Sequence, residues 1–392
     1  KECLHLMRGT QNKKLIIEPL ISHQFPFEKA EDAYSLILNN KVSQMGVVLS
    51  YPKEPSKIQP KNFTFLPSQK TKRCVLGIIG AGNFAKTILL PQLKNNKDVI
   101  LRTIVTTRGS TSSHNGEVFG FENCSTDPEV AINDPKINAL VIATRHNTHA
   151  SLTALALEKG KSVFVEKPLA LNYHELNQVI NARNNSPETF FQVGFNRQFA
   201  PMSIQAKNEL LKYNCPKFMT FRINAGPIPQ NHWVHREDEG GGRILGEVCH
   251  FIDLAQFFAG SMIKSVHANA SDANTPSSDN VAVSLSFEDG SLATILYTAR
   301  GDASQNKERY EIFCAEKNIL IDDFRRLEIS FNNKRSVTSG SQNKGFKPAL
   351  KAFINAVITK STPPINEEKL IETTNATIAV LTSISTGKRI IF

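Results

Sequence analysis

Short apolar runs alternate with amphipathic segments between residues 74 and 195. Runs of this length, separated by segments with a period near 3.6, are typical of strands joined by helices. We predict strands at Val75–Ile79, Ile100–Val105, Ala139–Ala143, Ser162–Val165 and Phe190–Val193, and helices at Ala85–Lys94, Ala150–Lys159 and Tyr173–Arg183. Regular alternation of the two predicts an α/β fold with a doubly wound parallel sheet.

After about residue 215 the apolar positions recur with a period of two, which predicts strands with one buried and one polar face. These strands are predicted at Lys217–Asn224, Val281–Phe287, Leu292–Thr298, Tyr310–Ala315, Asn318–Asp322 and Leu327–Phe331. The Asp289-Gly290 pair predicts a hairpin between two of them. This half is therefore predicted to be an α+β domain with an open, mainly antiparallel sheet and a closing helix near Ala349–Ile358. The open sheet face suggests a homo-oligomer.

The first 73 residues are less regular. Leu15–Ile17 and Gly46–Leu49 predict short strands, and an amphipathic helix is predicted to begin at Phe27. Residues 53–73 are rich in proline and lysine, a composition typical of an extended linker. We therefore divide the chain at residues 1–52, 53–73, 74–195 and 196–392.

Composition excludes several classes of function. The 392 residues contain no run of 18 apolar positions and no signal peptide pattern, so we expect neither a membrane protein nor an exported one. Of the net charge of +10, residues 1–73 carry an excess of six, with 12 Lys/Arg against 6 Asp/Glu. A basic tail without interleaved aromatic residues does not favour nucleic-acid binding. The six scattered cysteines lack a Cys-x-x-Cys pair, which indicates the cytoplasm and no structural zinc.

A glycine-rich turn, Gly80-x-Gly82-x-x-Ala85, follows the first apolar strand and opens a helix. In this context Gly80 permits the tight turn, Gly82 lets the backbone approach a pyrophosphate, and Ala85 allows close packing of helix on strand. The helix N-terminus then faces the phosphates, beside Asn83 and Phe84. The turn predicts dinucleotide binding, with a purely structural turn as the alternative.

The second strand indicates which nicotinamide cofactor is bound. An NAD site of this kind usually has an acidic residue there to bond the ribose 2′-hydroxyl. The sequence instead continues Thr106-Thr107-Arg108-Gly109-Ser110, which favours the 2′-phosphate of NADP over NAD. An ordinary polar loop with loose ribose contacts is the alternative.

Lys167 is the first candidate for catalysis. The apolar strand Ser162–Val165 runs into Glu166-Lys167-Pro168 at the carboxyl edge, where doubly wound sheets bind ligands. Pro168 disfavours helical geometry at Lys167, so this residue is expected to extend toward the nicotinamide. On the local pattern alone, a lysine at a strand end is more often a solvated surface residue.

Four motifs together resemble the glucose–fructose oxidoreductase / inositol dehydrogenase (Gfo/Idh/MocA) family. They are the glycine-rich turn, residues 143–149 (Ala-Thr-Arg-His-Asn-Thr-His), residues 160–169 around Glu-Lys-Pro, and residues 193–197 (Val-Gly-Phe-Asn-Arg). The resemblance covers residue 74 to the C-terminus. It implies a Rossmann domain, a second open-sheet domain and a catalytic role for Lys167. It also implies cofactor contacts from Thr144, His146, Asn147, His149 and Glu166, and substrate contacts from Asn196 and Arg197.

The resemblance extends to Gly246-Glu247-Val248-Cys249-His250, which is expected to begin a helix. Family members usually carry an Asp four residues before the His of this helix, and here Gly246 occupies that place. Glu247 is offset by one position, about 100° around the helix, so it does not automatically replace the Asp. His250 matches the family's His and is the candidate general acid/base. Asp253 either orients His250 or is a helix-surface carboxylate.

A loop before that helix carries His232, Trp233, His235 and Arg236, and Arg243 follows a run of three glycines. A metal site is not predicted, because no Cys or carboxylate has the required spacing. We predict a pocket-lining loop in which Trp233 stacks on a sugar face, while Arg236 and Arg243 bind an anionic or nucleotide-linked group. A solvated loop that packs one Trp is the alternative.

Residues 15–52 have a separate resemblance. Their sequence, Pro19 to Tyr34 with Gly46-Val47-Val48-Leu49, looks like the C-terminal end of a zinc-dependent medium-chain alcohol dehydrogenase. The resemblance implies the back part of a two-enzyme fusion, with the other dehydrogenase domain upstream of this chain. By analogy it suggests a role in bacterial surface-polysaccharide synthesis.

The leading hypothesis is hydride transfer between NAD(P) and a hydroxyl-bearing carbon of a sugar, sugar derivative or sugar nucleotide. Lys167 would bond the reacting oxygen, and His250 would take or give its proton. Gly246 in place of the Asp keeps a non-catalytic cofactor-binding module open. A redox-neutral epimerase or lyase with a recycled cofactor is a further alternative.

Overall fold

The structure is a computed structural model, and it describes residues 18–39, 45–51, 63–64, 73–271 and 279–392. The chain divides into two compact units, residues Lys1–Pro60 and Lys61–Phe392. Within the described ranges, no helix combines the length and the apolar character needed to cross a bilayer. In these same ranges, no group of three or more His, Cys, Asp or Glu side chains is placed to hold a metal ion.

The first unit is a β–α–β arrangement. Strands β1 (His23–Pro26) and β2 (Val47–Ser50) pair in parallel, and helix α1 (Ala30–Asn39) lies between them in sequence. The predicted helix begins as expected at Phe27, in a short 3₁₀ turn, and the second predicted strand is shifted by one residue. The sequence does not predict β1, because it contains no apolar run. The strand predicted at residues 15–17 lies outside the described residues.

The second unit begins with a seven-stranded sheet. Its strands are β3 (Phe63–Thr64), β4 (Cys74–Ile79), β5 (Val99–Val105), β6 (Asn123–Ser125), β7 (Ala139–Ile142), β8 (Ser162–Val165) and β9 (Phe191–Val193). They lie in the order β3-β6-β5-β4-β7-β8-β9, and every pair except β3–β6 is parallel. Strands β7 and β8 are fully buried, as expected where helices cover both faces. The predicted doubly wound sheet is confirmed.

The helices of this half are α2 (Leu90–Lys94), α3 (Gly109–Phe119), α4 (Pro128–Ile132), α5 (His149–Glu158) and α6 (Tyr173–Asn184). A π-helical turn, Ala85–Leu89, runs directly into α2. Helix α3 was not predictable from the pattern, because its sequence is largely polar and shows no apolar stripe. It is held instead by Ser112, whose buried hydroxyl bonds the carbonyl oxygens of Ile104 and Ser125.

The second sheet has nine strands. They are β10 (Phe218–Asn224), β11 (Ile263–Ala270), β12 (Val281–Phe287), β13 (Leu292–Thr298), β14 (Glu308–Cys314), β15 (Lys317–Asp322), β16 (Arg326–Phe331), β17 (Lys334–Ser339) and β18 (Ile390–Ile391). Their order is β17-β16-β15-β14-β10-β13-β12-β11-β18, and only the β10–β13 pair is parallel. Gly290 closes the predicted hairpin between β12 and β13 with a left-handed φ of +84°. The mainly antiparallel sheet is therefore confirmed.

Helices cover one face of this sheet and leave the other open. They are α7 (Pro201–Leu210), α8 (Cys249–Ala259) and α10 (Glu367–Thr386), whereas α9 (Phe346–Thr359) does not contribute to the core of this sheet. The core beneath them is rich in aromatic side chains, among them Phe251, Phe258 and Tyr310. Helix α10 escapes prediction because its many threonines favour strands over helices. Helix α9, the predicted closing helix, packs against the first sheet, where Phe353 contacts Phe164 and Phe190.

Candidate active site

The glycine-rich turn has the geometry expected of a phosphate cradle. Gly80 has a φ of +97°, and a Cβ there would lie 2.4 Å from the carbonyl oxygen of Ala143, so the fold itself requires glycine. A Cβ on Gly82 would meet nothing within 4 Å, which means that this position opens onto free space. Ala85 is buried at the start of the following helical turn. The free space at Gly82 is where a pyrophosphate would approach the backbone.

The turn after β7 is tied to the Glu-Lys-Pro turn by histidine. His149 Nδ1 donates to the carbonyl oxygen of Pro168 at 2.8 Å. His146 Nδ1 donates to the carbonyl oxygen of Gly240 in the second domain at 2.7 Å. Burial lowers the pKa of His146 to about 3 and that of His149 to about 4. Both rings are therefore neutral, and they hold the turns together rather than carry protons.

Lys167 bridges the two halves of the unit. It follows β8, its peptide bond to Pro168 is cis, and its Nζ donates to the carbonyl oxygen of Gly246 at 2.5 Å. Burial raises the pKa of the adjacent Glu166 to about 7, although the charge of Lys167 opposes this shift. The Glu166 carboxyl packs against Gly194, where an added Cβ would lie 2.8 Å from Oε1. Lys167 is half-buried, and its ammonium contacts the second half of the unit.

His250 lies on α8, four residues after the Lys167 anchor at Gly246. It is buried, and its Nδ1 has no hydrogen-bond partner among the described residues. Burial, followed by the charges of Arg197 and Lys167, lowers the pKa of His250 well below its ordinary value. The lowered pKa keeps the ring neutral. Its Nδ1 is available for a bond that the described residues do not make.

Asp253 fits neither of its two predicted roles. It is buried rather than on the helix surface, and its carboxylate accepts hydrogen bonds from Gln198 Nε2 at 3.0 and 3.2 Å. Burial raises its pKa well above the ordinary value. The hydrogen bonds that the structure records for Asp253 do not include one to His250. We therefore correct the prediction: Asp253 is a buried residue whose recorded partner is Gln198.

Gly246 is glycine for a steric reason. A Cβ at this position would lie 2.9 Å from His146 Cε1, so the His146 ring occupies the space that a side chain would need. Glu247 does not replace the missing Asp, because its oxygens pair with Arg243 at 3.1 Å and Lys307 at 3.3 Å. Burial opposes ionisation of Glu247, but Lys307 and Arg243 outweigh it and lower the pKa to about 2. Lys167 is thus oriented by a backbone carbonyl.

Two predicted substrate ligands are buried structural residues. Arg197 forms a bidentate pair with Glu308, with N–O distances of 2.9 and 2.8 Å, and both side chains are almost inaccessible. Asn196 is 1% exposed and donates to the carbonyl oxygen of Lys344. Lys344 also pairs with Glu308. The prediction that Arg197 contacts substrate is corrected, because its guanidinium is paired with Glu308. Asn196 Oδ1 has no partner among the described residues, so the substrate contact of Asn196 stays a prediction.

Arg243, another predicted substrate ligand, is also buried and bonded to protein groups. Its guanidinium is 1% exposed and bonds Glu247, Asp279 and the carbonyl oxygen of Gly226. It cannot bind an anionic group without losing these partners, so that prediction is corrected. Asp279 and Lys307, which were not predicted, complete this charged cluster together with Glu247 and the buried Arg243. Both stand in loops without a motif, and no sequence signal marked them.

The predicted pocket loop packs on the turn after β7. Trp233 is half-buried, with its ring 4.7 Å from that of His146 and the Arg145 guanidinium 4.3 Å from its centroid. Asn147 Nδ2 donates to the carbonyl oxygen of Asp238, while His232 is exposed. Trp233, from the second domain, thus packs against the turn after β7. Arg145 covers part of the Trp233 ring face that was expected to stack on a sugar.

Two residues predicted to choose the cofactor lie at the end of β5. Thr106 is buried, and its Oγ1 donates to the carbonyl oxygen of Arg108 at 2.9 Å. Arg108 is exposed and stands just before α3. Gly80 N bonds the carbonyl oxygen of Val105, so this strand end adjoins the glycine-rich turn. No acidic side chain occurs between residues 106 and 110.

Comparison with known proteins identifies related sequences. A family model described as "Oxidoreductase family, NAD-binding Rossmann fold" matches residues 75–195, and the GFO/IDH/MocA C-terminal domain model matches residues 218–320. Myo-inositol 2-dehydrogenase of Thermotoga maritima is 26% identical over 309 residues, which is 75% of this chain and 91% of that protein. The levoglucosan dehydrogenase of Pseudarthrobacter phenanthrenivorans is 25% identical, over 59% of this chain and 67% of its own length.

Solved structures share the fold. A probable dehydrogenase from Thermotoga maritima superposes with a TM-score of 0.69 at 24% identity, covering 81% of this chain and 98% of that one. Levoglucosan dehydrogenase in complex with NADH and levoglucosan superposes with a TM-score of 0.72 at 19% identity, covering 81% and 99%. At these identities the superpositions establish the architecture.

Proposed function

The chain belongs to the Gfo/Idh/MocA family of oxidoreductases, and from this premise we propose that it transfers a hydride between NAD(P) and a hydroxyl-bearing carbon of a sugar or cyclic polyol. One observation carries the proposal. Lys167, at the end of a strand in the nucleotide-binding half, bonds Gly246, one helical turn before His250 in the second half. Lys167 therefore contacts the helical segment that carries His250, at the carboxyl edge of the parallel sheet.

The residues present fit a nicotinamide dinucleotide. The open space at Gly82 accommodates the pyrophosphate, and the helical turn at Ala85 directs N–H groups toward it. Thr144, His146, Asn147 and the Glu-Lys-Pro turn would surround the nicotinamide end. When bound, the nicotinamide supplies or accepts the hydride.

The protein residues handle the proton and the orientation. The Lys167 ammonium, held by the Gly246 carbonyl, would donate a hydrogen bond to the reacting oxygen and stabilise negative charge developing there. His250, whose Nδ1 has no partner among the described residues, would take the hydroxyl proton during oxidation and return it during reduction. Trp233 and its loop would close the site against water. Glu166, protonated up to about pH 7, is available to donate a hydrogen bond near the nicotinamide.

The test is reduced-nicotinamide absorbance with myo-inositol, scyllo-inositol, levoglucosan and a panel of sugars and sugar nucleotides. Lys167→Ala and His250→Ala should each lower kcat by about 10²–10⁴-fold, with little change in cofactor affinity. The double variant should be scarcely worse than the worse single one, because the two residues act as a unit. Lys159→Ala, at an exposed lysine, is the matched control. Fully additive losses in the double variant would contradict the proposal.

Gly246 supports a second candidate, a cofactor-binding module without turnover. In that case the protein would bind NAD(P) and sugar but show no absorbance change with any member of the panel. A redox-neutral epimerase or lyase would instead convert a sugar while the total of reduced cofactor stayed constant, which chromatography of the products would detect.

For the cofactor itself we propose a preference for NADP over NAD. The support is the absence of an acidic side chain between residues 106 and 110 and the exposed Arg108 beside the turn. Arg108→Ala should weaken NADP binding by about 1–3 kcal/mol, the range for a charge-assisted hydrogen bond, and leave NAD binding unchanged. Isothermal titration with both cofactors measures this, and equal losses would exclude a 2′-phosphate contact.

Two further proposals concern residues 1–52 and the open face of the second sheet. We propose that residues 1–52 correspond to the end of a medium-chain dehydrogenase in a two-enzyme fusion, supported by their resemblance and their parallel β–α–β pairing, with a role in surface-polysaccharide synthesis by analogy. We propose a cytoplasmic homo-oligomer that associates through the open sheet face. Exposed Phe218, Leu292 and Leu296 on β10 and β13 support that face, and Leu296→Asp should shift the sedimentation coefficient toward that of the monomer.

A further inference from the structure

Two cysteines meet at one end of the open sheet, far along the chain from the residues proposed for catalysis. Cys215 precedes β10, and Cys314 is the last residue of β14, the neighbouring strand. Their Sγ atoms lie 2.7 Å apart, although 99 positions separate them in sequence. A disulfide bond is about 2.05 Å long, so the two sulfurs need only a small approach to bond. The antiparallel ladder holds both backbones in place, with Phe218 opposite Phe313.

The two sulfurs differ in access. Cys215 is partly exposed, whereas Cys314 is 4% exposed and lines a cavity of about 470 Å³ with Lys217, Lys317 and neighbouring residues. Burial, followed by the hydrogen bond with Cys215, raises the pKa of the Cys314 thiol to about 11. An incoming reagent therefore meets Cys215 first, and Cys314 stands behind it, in position to attack the modified sulfur.

We propose that Cys215 and Cys314 are a redox modification site, a dithiol that closes to an intramolecular disulfide when it meets a glutathione-type disulfide. The Cys215 thiolate attacks the reagent, forms a mixed disulfide and releases one thiolate. The Cys314 thiolate then attacks the Cys215 sulfur, the protein disulfide forms, and the second thiolate leaves. Two protein thiols are oxidised, one small disulfide is reduced to two thiols, and those thiols take up the two protons.

The disulfide ties β10 to β14. It closes a loop of 99 positions, which restricts the unfolded chain more strongly than a short loop would. The sheet face beside it carries the exposed rings of Phe218 and Phe313, so the bond would also stiffen part of the proposed association face. The site does not depend on the hydride-transfer proposal, because neither cysteine contacts the catalytic residues described above.

The native full chain is titrated with oxidised and reduced glutathione and then denatured, so that N-ethylmaleimide alkylates every free thiol, including the buried ones. Intact mass and tryptic peptides are then measured. We expect alkylation to fall from six thiols to four, with one cross-linked peptide pair containing Cys215 and Cys314, reversed by dithiothreitol. The oxidised chain should unfold about 5 °C higher than the reduced chain.

Variants separate the proposed pair from other cysteines. Cys215→Ser and Cys314→Ala should each keep their remaining thiols alkylatable and lose the cross-link, whereas Cys3→Ser should keep it. Circular dichroism checks that the buried Cys314→Ala variant is folded, and the exposed-side Cys215→Ser variant gives an independent result. Six alkylatable thiols in fully oxidising glutathione, or a stable glutathione adduct on Cys215 without the cross-link, would overturn the proposal.

Discussion

The most specific consequence of the site geometry concerns Gly246. A Cβ there would lie 2.9 Å from His146 Cε1 and 3.7 Å from Val234 Cγ2. The His146 ring cannot easily move aside, because its Nδ1 bonds the Gly240 carbonyl at 2.7 Å and Trp233 packs against it. Gly246→Ala therefore overpacks the site.

The magnitude follows from two opposing terms. Overpacking a filled site costs about 1–3 kcal/mol, whereas replacing Gly by Ala inside a helical segment contributes about 1 kcal/mol in favour. We expect Gly246→Ala to change the free energy of unfolding by about 0–2 kcal/mol in the destabilising direction. With His146→Ala in the background the clash disappears, so the same substitution should stabilise by about 1 kcal/mol. The coupling between the two positions should be about 1–3 kcal/mol.

The assay is urea unfolding of the wild type, both single variants and the double variant, followed by far-ultraviolet circular dichroism. Fluorescence is unsuitable, because the one tryptophan, Trp233, contacts His146. Gly340→Ala is the control, since a Cβ at Gly340 meets nothing within 4 Å. Free-energy changes that add to within about 0.5 kcal/mol across the cycle would refute the steric explanation of Gly246.

Three further predictions concern the cofactor turn, a buried carboxyl and a buried ion pair. Gly82→Val should abolish NAD(P) binding while the unfolding curve stays the same, whereas Gly80→Val should disrupt the fold. Calorimetry measures the binding, and circular dichroism measures the folding. Intact NAD(P) binding by a folded Gly82→Val variant would contradict the proposed phosphate cradle. The pKa of Glu166 is raised to about 7, so its contribution to stability is complete below about pH 4.5 and is lost as pH rises toward 7. Glu166→Gln should remove up to about 3 kcal/mol of that pH dependence, which unfolding curves at pH 5 and 8 measure; identical slopes would contradict the burial of this group. Arg197→Leu should destabilise the fold by about 3–5 kcal/mol, since it leaves Glu308 buried without its main partner, with little change in sugar KM; a raised KM with unchanged stability would restore its predicted substrate role.

Much of the fold follows from local pattern. The strands that were predicted alternate or run apolar over four or more residues, and the predicted limits agree with β4, β8, β12 and β13 to within one residue. Elements without such a pattern were missed. The exposed β17 has no buried face to set a period, and α3 has no apolar stripe. Hydrogen bonds to other parts of the fold hold these elements, so the local hydrophobic pattern does not predict them.

The candidate site divides in the same way. The sequence by itself determined the residues whose role is local: Gly80 must adopt a left-handed φ, and Lys167 must follow a buried strand at the carboxyl edge. It could not determine which polar side chains stay free, because that depends on partners distant in the chain. Glu308, 111 residues from Arg197 in the chain, forms an ion pair with the Arg197 guanidinium. Lys307, 60 residues from Glu247, forms an ion pair with the Glu247 carboxylate.

Tertiary packing also decided where the closing helix belongs and how Lys167 is oriented. Helix α9 has the amphipathic pattern of any surface helix, and only three-dimensional contacts place its Phe353 on the first sheet rather than the second. In the sequence, Gly246 occupies the place where family members usually carry an Asp. In the fold it is the position that leaves space for His146, and its carbonyl oxygen accepts a hydrogen bond from Lys167.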